Sequence, residues 1–224
     1  MDLVLRGKTP LEKRWLQVKP TIEVGKAKAD TYVTSKISHA AFFDDVFEAH
    51  ARLTQVLDVV EGLLGPDLKL YQDQVFLKPP KVGSRQPYHQ DVPLGFHIDR
   101  PDLVTCWAAL DDATIENGCL WYIPGTHKRE ILDKKTWAAY EKQAVSGKLG
   151  EEVPVELKAG SCSFHHGLLL HASRPNLTDR SRRGYATHYV SAKCRYHPPI
   201  YGRTLEEEEM DAMLVRGQEY PGCR

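Results

Sequence analysis

Leu103-Val104-Thr105-Cys106-Trp107-Ala108-Ala109-Leu110 is an apolar run that reads as a strand, with a large aromatic near its middle. Short runs of the same kind lie on both sides of it: Leu68 to Leu77, Cys119 to Ile123, Val153 to Leu157, Ser161 to His171 and Tyr185 to Ala192. Turn formers, Pro124-Gly125 and Ala159-Gly160 among them, punctuate the series. Short strands in such a sequence predict an all-β sandwich or barrel. Helices flank it. Leu53, Val56, Leu57, Val60, Leu63 and Leu64 recur at helical spacing until Gly65-Pro66 stops the run, which predicts one amphipathic helix packed on the core. Lys134 to Val145 reads as a surface helix, and Leu205 to Val215, acidic at its start, as another. Residues 1 to about 38 are rich in charge and poor in periodicity.

The composition narrows the functional classes. With 224 residues, 42% hydrophobic and 27% charged, the chain can bury a full core, and residues 1–224 are expected to form one domain. Lys plus Arg equals Asp plus Glu at 30 each, so no basic excess points to nucleic acid and no polybasic run points to anionic membranes. The first residues carry Arg6, Lys8, Glu12, Lys13 and Arg14 in place of the apolar centre of a signal peptide, and no apolar run approaches the length of a membrane helix. Cysteines at 106, 119, 162, 194 and 223 form neither a Cys-x-x-Cys pair nor an even set, so reduced thiols in a cytoplasmic protein are expected. Cys106, Cys119 and Cys162 fall in strand-like runs, where a free cysteine behaves as a small hydrophobe. The oligomeric state is not written in the sequence.

Chemistry enters at Tyr88-His89-Gln90-Asp91. In an extended strand, side chains two apart share a face, so His89 and Asp91 can offer an imidazole nitrogen and a carboxylate oxygen to one metal. His171 lies 82 residues downstream, far enough for a barrel to bring a further strand to the same place. Two histidines and a carboxylate on one face of an octahedron leave positions open, which suits an Fe(II) that binds both a co-substrate and O2. The same spacing recurs at His97-Ile98-Asp99, and His165, His166 and His171 all compete for the third place.

The surrounding blocks resemble the phytanoyl-CoA dioxygenase family of Fe(II)- and 2-oxoglutarate-dependent oxygenases. They are Phe76 to Pro80, His89-Gln90-Asp91, Trp107 to Ala113, Glu116 to Leu120, Ile123 to Lys128, and His171 through Arg183. They run in family order from about residue 68 to about residue 190. The resemblance selects His89 and Asp91 as ligands over His97 and Asp99. It selects His171 as the distal ligand, because Ser173 and Arg182 follow it at two and eleven positions. It also implies that Gln74 and Trp107 contact 2-oxoglutarate, and that the fold is a double-stranded β-helix of the jelly-roll, cupin-like type. Relatives usually open with a helix and a strand beside the barrel, which the first residues here do not resemble. That departure predicts a short or divergent N-terminal segment, with either an exposed sheet edge or a less covered active-site side.

Arg182 has a physical reason of its own. A dicarboxylate that chelates a metal through one end leaves its far carboxylate as a buried anion. A guanidinium fork meets it with two charge-assisted hydrogen bonds, and the Ser173 hydroxyl adds a third. Arg183 points to the opposite face of a regular strand. The implied reaction consumes 2-oxoglutarate and O2, releases succinate and CO2, and hydroxylates a small-molecule substrate. Val92 to Arg100 is expected to line or cover the pocket, and the carboxylate at Asp91 argues against a halogenating branch. The rival readings are a non-redox metal-binding cupin and a catalytically silent binding protein on the same barrel.

Overall fold

In the computed structural model, which describes residues 16–21, 31–81, 85–92, 98–129, 137–195 and 212–223, the apolar runs become two antiparallel sheets. Among the described residues the larger sheet runs β1 (Leu16–Thr21), β2 (Thr31–Ser38), β3 (Leu68–Lys78), β10 (Arg182–Ser191), β5 (Leu103–Ala109), β8 (Cys162–His166). The strand β11 (Met213–Arg216) also pairs with β3. The smaller sheet runs β4 (Gln86–His89), β9 (His171–Ser173), β6 (Leu120–Tyr122), β7 (Val153–Val155). This is the expected jelly roll.

Alternation along the strands sorts the side chains into layers. On β5, Val104 and Cys106 join Leu68, Leu70 and Tyr189 on the outer face of the large sheet, beneath the helices α1 (Asp45–Ala51) and α2 (Thr54–Leu64). On the opposite face of the same strand, Trp107 and Ala109 meet Leu120, Ile123, Leu170 and Ala172 between the two sheets. The helix α2 is the amphipathic helix predicted from the sequence. It buries Val56, Leu57 and Val60, each contributing roughly 1.5–3 kcal/mol, and ends at Gly65, whose φ of 93° suits a residue without a Cβ. Asp44 starts α1 by accepting a hydrogen bond from the Val46 amide at 3.0 Å. A third helix, α3 (Trp137–Val145), falls within the predicted surface helix.

Four expectations change. The pattern from Leu205 to Val215 predicts a helix; residues 205–211 lie outside the described ones, and Met213–Arg216 is a strand whose partner β3 sets its conformation. The run from Ser161 to His171 is two strands in different sheets, joined by a corner at Gly167. A Cβ there would come within 2.6 Å of Val92 and 2.9 Å of Leu103. The N-terminal segment supplies β1 and β2, and β2 pairs with β3 through Lys36, Ile37 and Ser38, so that edge of β3 is covered. Cys162 is exposed on β8, while Cys106 and Cys119 are buried as small hydrophobes.

Asp73 is a buried acid away from the small sheet. It is fully buried on the outer face of β3, where its Oδ2 accepts a hydrogen bond from the Ala41 amide at 3.2 Å. Burial outweighs the hydrogen bonds it accepts and raises its pKa to about 7 from the ordinary 3.8. The native state therefore binds more protons than the unfolded chain between these values. This contribution to stability is full below about pH 4 and is lost as pH rises toward 7. At ~1.4 kcal/mol per pKa unit the loss is on the order of 4 kcal/mol. Asp73→Asn is expected to flatten that slope in urea unfolding curves taken from about pH 5 to about pH 8; an unchanged slope would assign it to other groups.

Candidate metal centre

The small sheet brings the two predicted histidines together. His89 at the end of β4 pairs directly with His171 at the start of β9, and their ring centroids are 4.1 Å apart. Asp91 lies past the end of β4. The chain turns there instead of staying extended, because the amides of Asp91 and Val92 both donate to the Gly167 carbonyl, at 2.8 and 3.2 Å. Gln90 is buried and donates to the Leu168 carbonyl at 2.9 Å. One donor atom each from His89, Asp91 and His171 lie within 4.8 Å of one another. Asp91 Oδ1 is 3.8 Å from His89 Nε2 and 3.6 Å from His171 Nε2.

Protonation states agree with a metal-ligating role. His89 Nδ1 faces the Pro87 carbonyl at 2.8 Å and His171 Nδ1 faces the Leu169 carbonyl at 3.0 Å, so each donates its Nδ1–H and presents Nε2 as a lone pair. Burial lowers the pKa of His89 and holds that of His171 well below the usual imidazole range. Burial opposes ionisation of Asp91. The neighbouring His171 and the hydrogen bond from His165 outweigh it and hold the carboxyl well below its ordinary value. Two neutral imidazoles and a carboxylate form a donor set that a divalent metal can take without displacing protons.

The described competing residues have other partners or lie outside the group of three donors. His97 lies outside the described residues, and Asp99 uses its Oδ1 to accept the Arg195 amide at 2.8 Å. His166 is on the outward-facing side of β8, its Nδ1 accepting the Leu168 amide at 3.1 Å and its ring 5.9 Å from that of His127. His165 stands beside the centre without being one of the three grouped donors. Its Nε2 is 3.3 Å from Asp91 Oδ2 and its Nδ1 is 3.0 Å from the Tyr122 hydroxyl. The sequence reading missed Thr105 and His188: Thr105 donates to Asp91 Oδ2 at 3.1 Å and meets His188 Nδ1 at 2.8 Å. The signal available was period two, which puts Thr105 on the inner face with Trp107 and His188 with Ala186.

Of the residues expected at the co-substrate, Gln74, Trp107 and Arg182 occupy the inner face of the large sheet, and Ser173 lies on the small one. Gln74, Ala186 and Trp107 form one cross-strand row, since Ala186 pairs with both of the others. In the next row Gly184 makes room for the Trp107 ring: a Cβ there would lie 2.1 Å from Cζ2. Trp107 belongs to the core between the sheets, and Arg182 stands 5.3 Å from its ring centroid. Ser173 is buried two positions after His171 on β9, paired with Leu120.

Arg182 is 2% exposed. Its Nη2 donates to the Gly118 carbonyl at 2.8 Å, while its Nε has no partner among the described residues. Gly118 adopts φ 85°, and a Cβ on it would strike the Arg174 carbonyl at 2.3 Å. Asn117 fixes this turn by accepting the Thr114 amide at 2.8 Å and donating to the Asp112 carbonyl at 2.7 Å. Burial lowers the Arg182 pKa to about 10, which leaves it charged at neutral pH. A buried cation with an unpaired donor calls for an anion. Arg183 faces the other way, as expected, and grips Asp111 through Nε at 2.7 Å and Nη2 at 2.6 Å.

A jelly roll with a His-Asp-His cluster and an inward-facing buried arginine defines the class, and comparison with known proteins gives the family. The chain belongs to the phytanoyl-CoA dioxygenase family, whose model matches residues 14–184 and so reaches into the segment read as divergent. It is 33% identical to the human peroxisomal phytanoyl-CoA dioxygenase over 178 residues, covering 74% of this chain and 52% of that protein. It is 31% identical to mouse phytanoyl-CoA dioxygenase domain-containing protein 1 over 169 residues, covering 70% and 57%. The chain thus spans a little over half the length of these curated relatives.

Among solved structures, the nickel complex of the non-heme monooxygenase ThoJ matches with a TM-score of 0.66 at 29% identity, covering 84% of this chain and 66% of that one. The epimerase SnoN, in complex with Fe3+, α-ketoglutarate and nogalamycin RO, gives 0.66 at 25% identity, with 84% and 78% covered. Apo EctD from S. alaskensis gives 0.75 at 20% identity, with 98% and 76% covered, and shares the fold. Among the described residues no helix is long and apolar enough to cross a membrane.

Proposed function

We propose that this chain is an Fe(II)- and 2-oxoglutarate-dependent dioxygenase that hydroxylates a small-molecule substrate with O2, releasing succinate and CO2. The observation that carries this reading is a pair: His89, Asp91 and His171 with converging donor atoms, and a buried Arg182 whose Nε has no partner among the described residues. When bound, iron supplies the oxidising chemistry that couples decarboxylation of 2-oxoglutarate to attack on the substrate. The chain's own residues do the rest. His89 and His171 present Nε2, and Asp91 presents Oδ1. Arg182, with Ser173, takes the far carboxylate of 2-oxoglutarate, while Trp107 and Gln74 bound its chain. The core between the sheets keeps water from the buried guanidinium.

The reaction type rests on chemistry at the centre. SnoN is an epimerase and SnoK, a further structural neighbour, a carbocyclase, so the fold hosts several outcomes of one oxidation. Hydroxylation is the reading we favour: Asp91 retains the carboxylate, leaving no place for a halide on that side of the metal.

Screening metabolites for succinate release tests this reading. The parent protein is expected to convert 2-oxoglutarate to succinate only with Fe(II) and O2, faster with its true substrate, and to place one atom of labelled O2 in the product. Metal binding without succinate would favour the metal-binding cupin, and no metal binding would favour the silent binding protein. Succinate with an unlabelled product would leave the oxygenase class standing and replace hydroxylation by another oxidation.

A further inference from the structure

Asp91 has two oxygens with different surroundings. Oδ1 faces the two histidines, while Oδ2 lies 3.3 Å from His165 Nε2 and 3.1 Å from Thr105 Oγ1. We infer that His165 and Thr105 form a brace that holds Asp91 as a one-oxygen ligand. Both are positioning residues for the metal site and not ligands themselves. The inference rests on the proposed metal-binding role of Asp91.

The register builds the brace. His188 pairs with Thr105, and Thr105 pairs with His165, so the three side chains form one row across β10, β5 and β8 on the inner face. Their hydrogen bonds have a single consistent direction. The Thr105 hydroxyl has one proton and donates it to Asp91, so it must accept from His188 Nδ1–H at 2.8 Å. His165 donates from Nε2 to Asp91 Oδ2, so its Nδ1 is the acceptor and takes the Tyr122 hydroxyl proton at 3.0 Å. Tyr122 in turn accepts from the Ser163 hydroxyl at 3.0 Å. Every donor in the chain is used, and it ends on the carboxylate oxygen that faces away from the histidines. Two donors on Oδ2 oppose a swing that would bring both oxygens to the metal. They therefore keep Oδ1 forward and a coordination position open.

Two pairs of variants test this. His165→Leu and Thr105→Val remove the donors at similar size; His165→Gln and Thr105→Ser keep one at similar reach. Mn(II) affinity is measured by calorimetry on each folded variant, and the visible spectrum is recorded with Co(II). Loss of a supporting hydrogen bond to a metal ligand typically costs about 10–100-fold in affinity or activity. His165→Leu and Thr105→Val are expected to weaken Mn(II) within that range and to change the Co(II) spectrum as the freed oxygen joins the metal. His165→Gln and Thr105→Ser are expected to stay within about threefold of the parent, a rescue that a packing role would not produce. Parent-like affinity and spectrum in both donor-less variants, with Asp91→Ala abolishing binding, would overturn the brace alone. Parent-like binding in Asp91→Ala would overturn the metal assignment beneath it.

Discussion

Arg182→Ala is expected to weaken 2-oxoglutarate by roughly 30-fold to a few thousand-fold, because removing one partner of a buried charge pair costs about 2–5 kcal/mol at about 1.4 kcal/mol per tenfold. The direction follows from burial. The guanidinium is held by one carbonyl, that of Gly118, and its Nε has no partner among the described residues. Alanine would leave the far carboxylate of the co-substrate without the guanidinium that meets it. Calorimetric titration of 2-oxoglutarate into the Mn(II)-loaded protein reads this directly, and metal affinity in the absence of 2-oxoglutarate should not move. Arg183→Ala is the control. Its side chain is spent on Asp111 at the other face, so 2-oxoglutarate affinity should stay near the parent value. Equal affinities for Arg182→Ala and the parent would remove the clamp and leave a bare metal site.

The second large effect concerns the metal. His89→Ala or Asp91→Ala is expected to abolish stoichiometric Fe(II) binding, since two remaining donors cannot hold a divalent ion against water at micromolar metal. Asp99→Ala and His97→Ala should bind iron like the parent; Asp99 is occupied in bracing the Arg195 amide. His171→Ala should lose turnover. A folded His171→Ala protein that turned over at the parent rate would send the search for a third ligand back to His165 or His166. Anaerobic equilibrium dialysis with Fe(II) separates these cases, and iron retained by Asp91→Ala but lost by Asp99→Ala would reverse the assignment.

The strands that bury both faces could be read from the chain, because runs such as Leu103 to Ala109 are apolar but for Thr105 and too short for a buried helix. Two elements beside β3 could not. β2, Thr31–Ser38, interleaves Thr34, Ser35 and Lys36 with few apolar residues, and it is a strand because β1 and β3 offer it partners. Met213–Arg216 follows an acidic segment that suggests a helix, and its pairing with β3 decides otherwise. Both cases turn on non-local hydrogen bonds that local pattern does not encode.

The candidate site divides in the same way. Residue type and spacing marked His89 and Asp91 as a possible ligand pair, the family resemblance chose them over His97 and Asp99 and picked out His171 and Arg182, and the fold brings His89, Asp91 and His171 within one small volume. Thr105, His165 and His188 did not, since their common purpose appears only when β5, β8 and β10 are laid in register. The turn at Asp91 was also hidden. The sequence suggests that His89 and Asp91 share a face by strand alternation, whereas a bend anchored on the Gly167 carbonyl brings the carboxylate round.

The most direct test of the central claim is whether iron and 2-oxoglutarate meet in this site. Anaerobic protein loaded with Fe(II) is titrated with 2-oxoglutarate while its visible absorption is followed. Chelation of Fe(II) by the keto acid is expected to raise a metal-to-ligand charge-transfer band that saturates at one equivalent per chain in the parent and is absent in Asp91→Ala. A parent protein that binds one Fe(II) yet develops no such band at saturating 2-oxoglutarate would contradict the account.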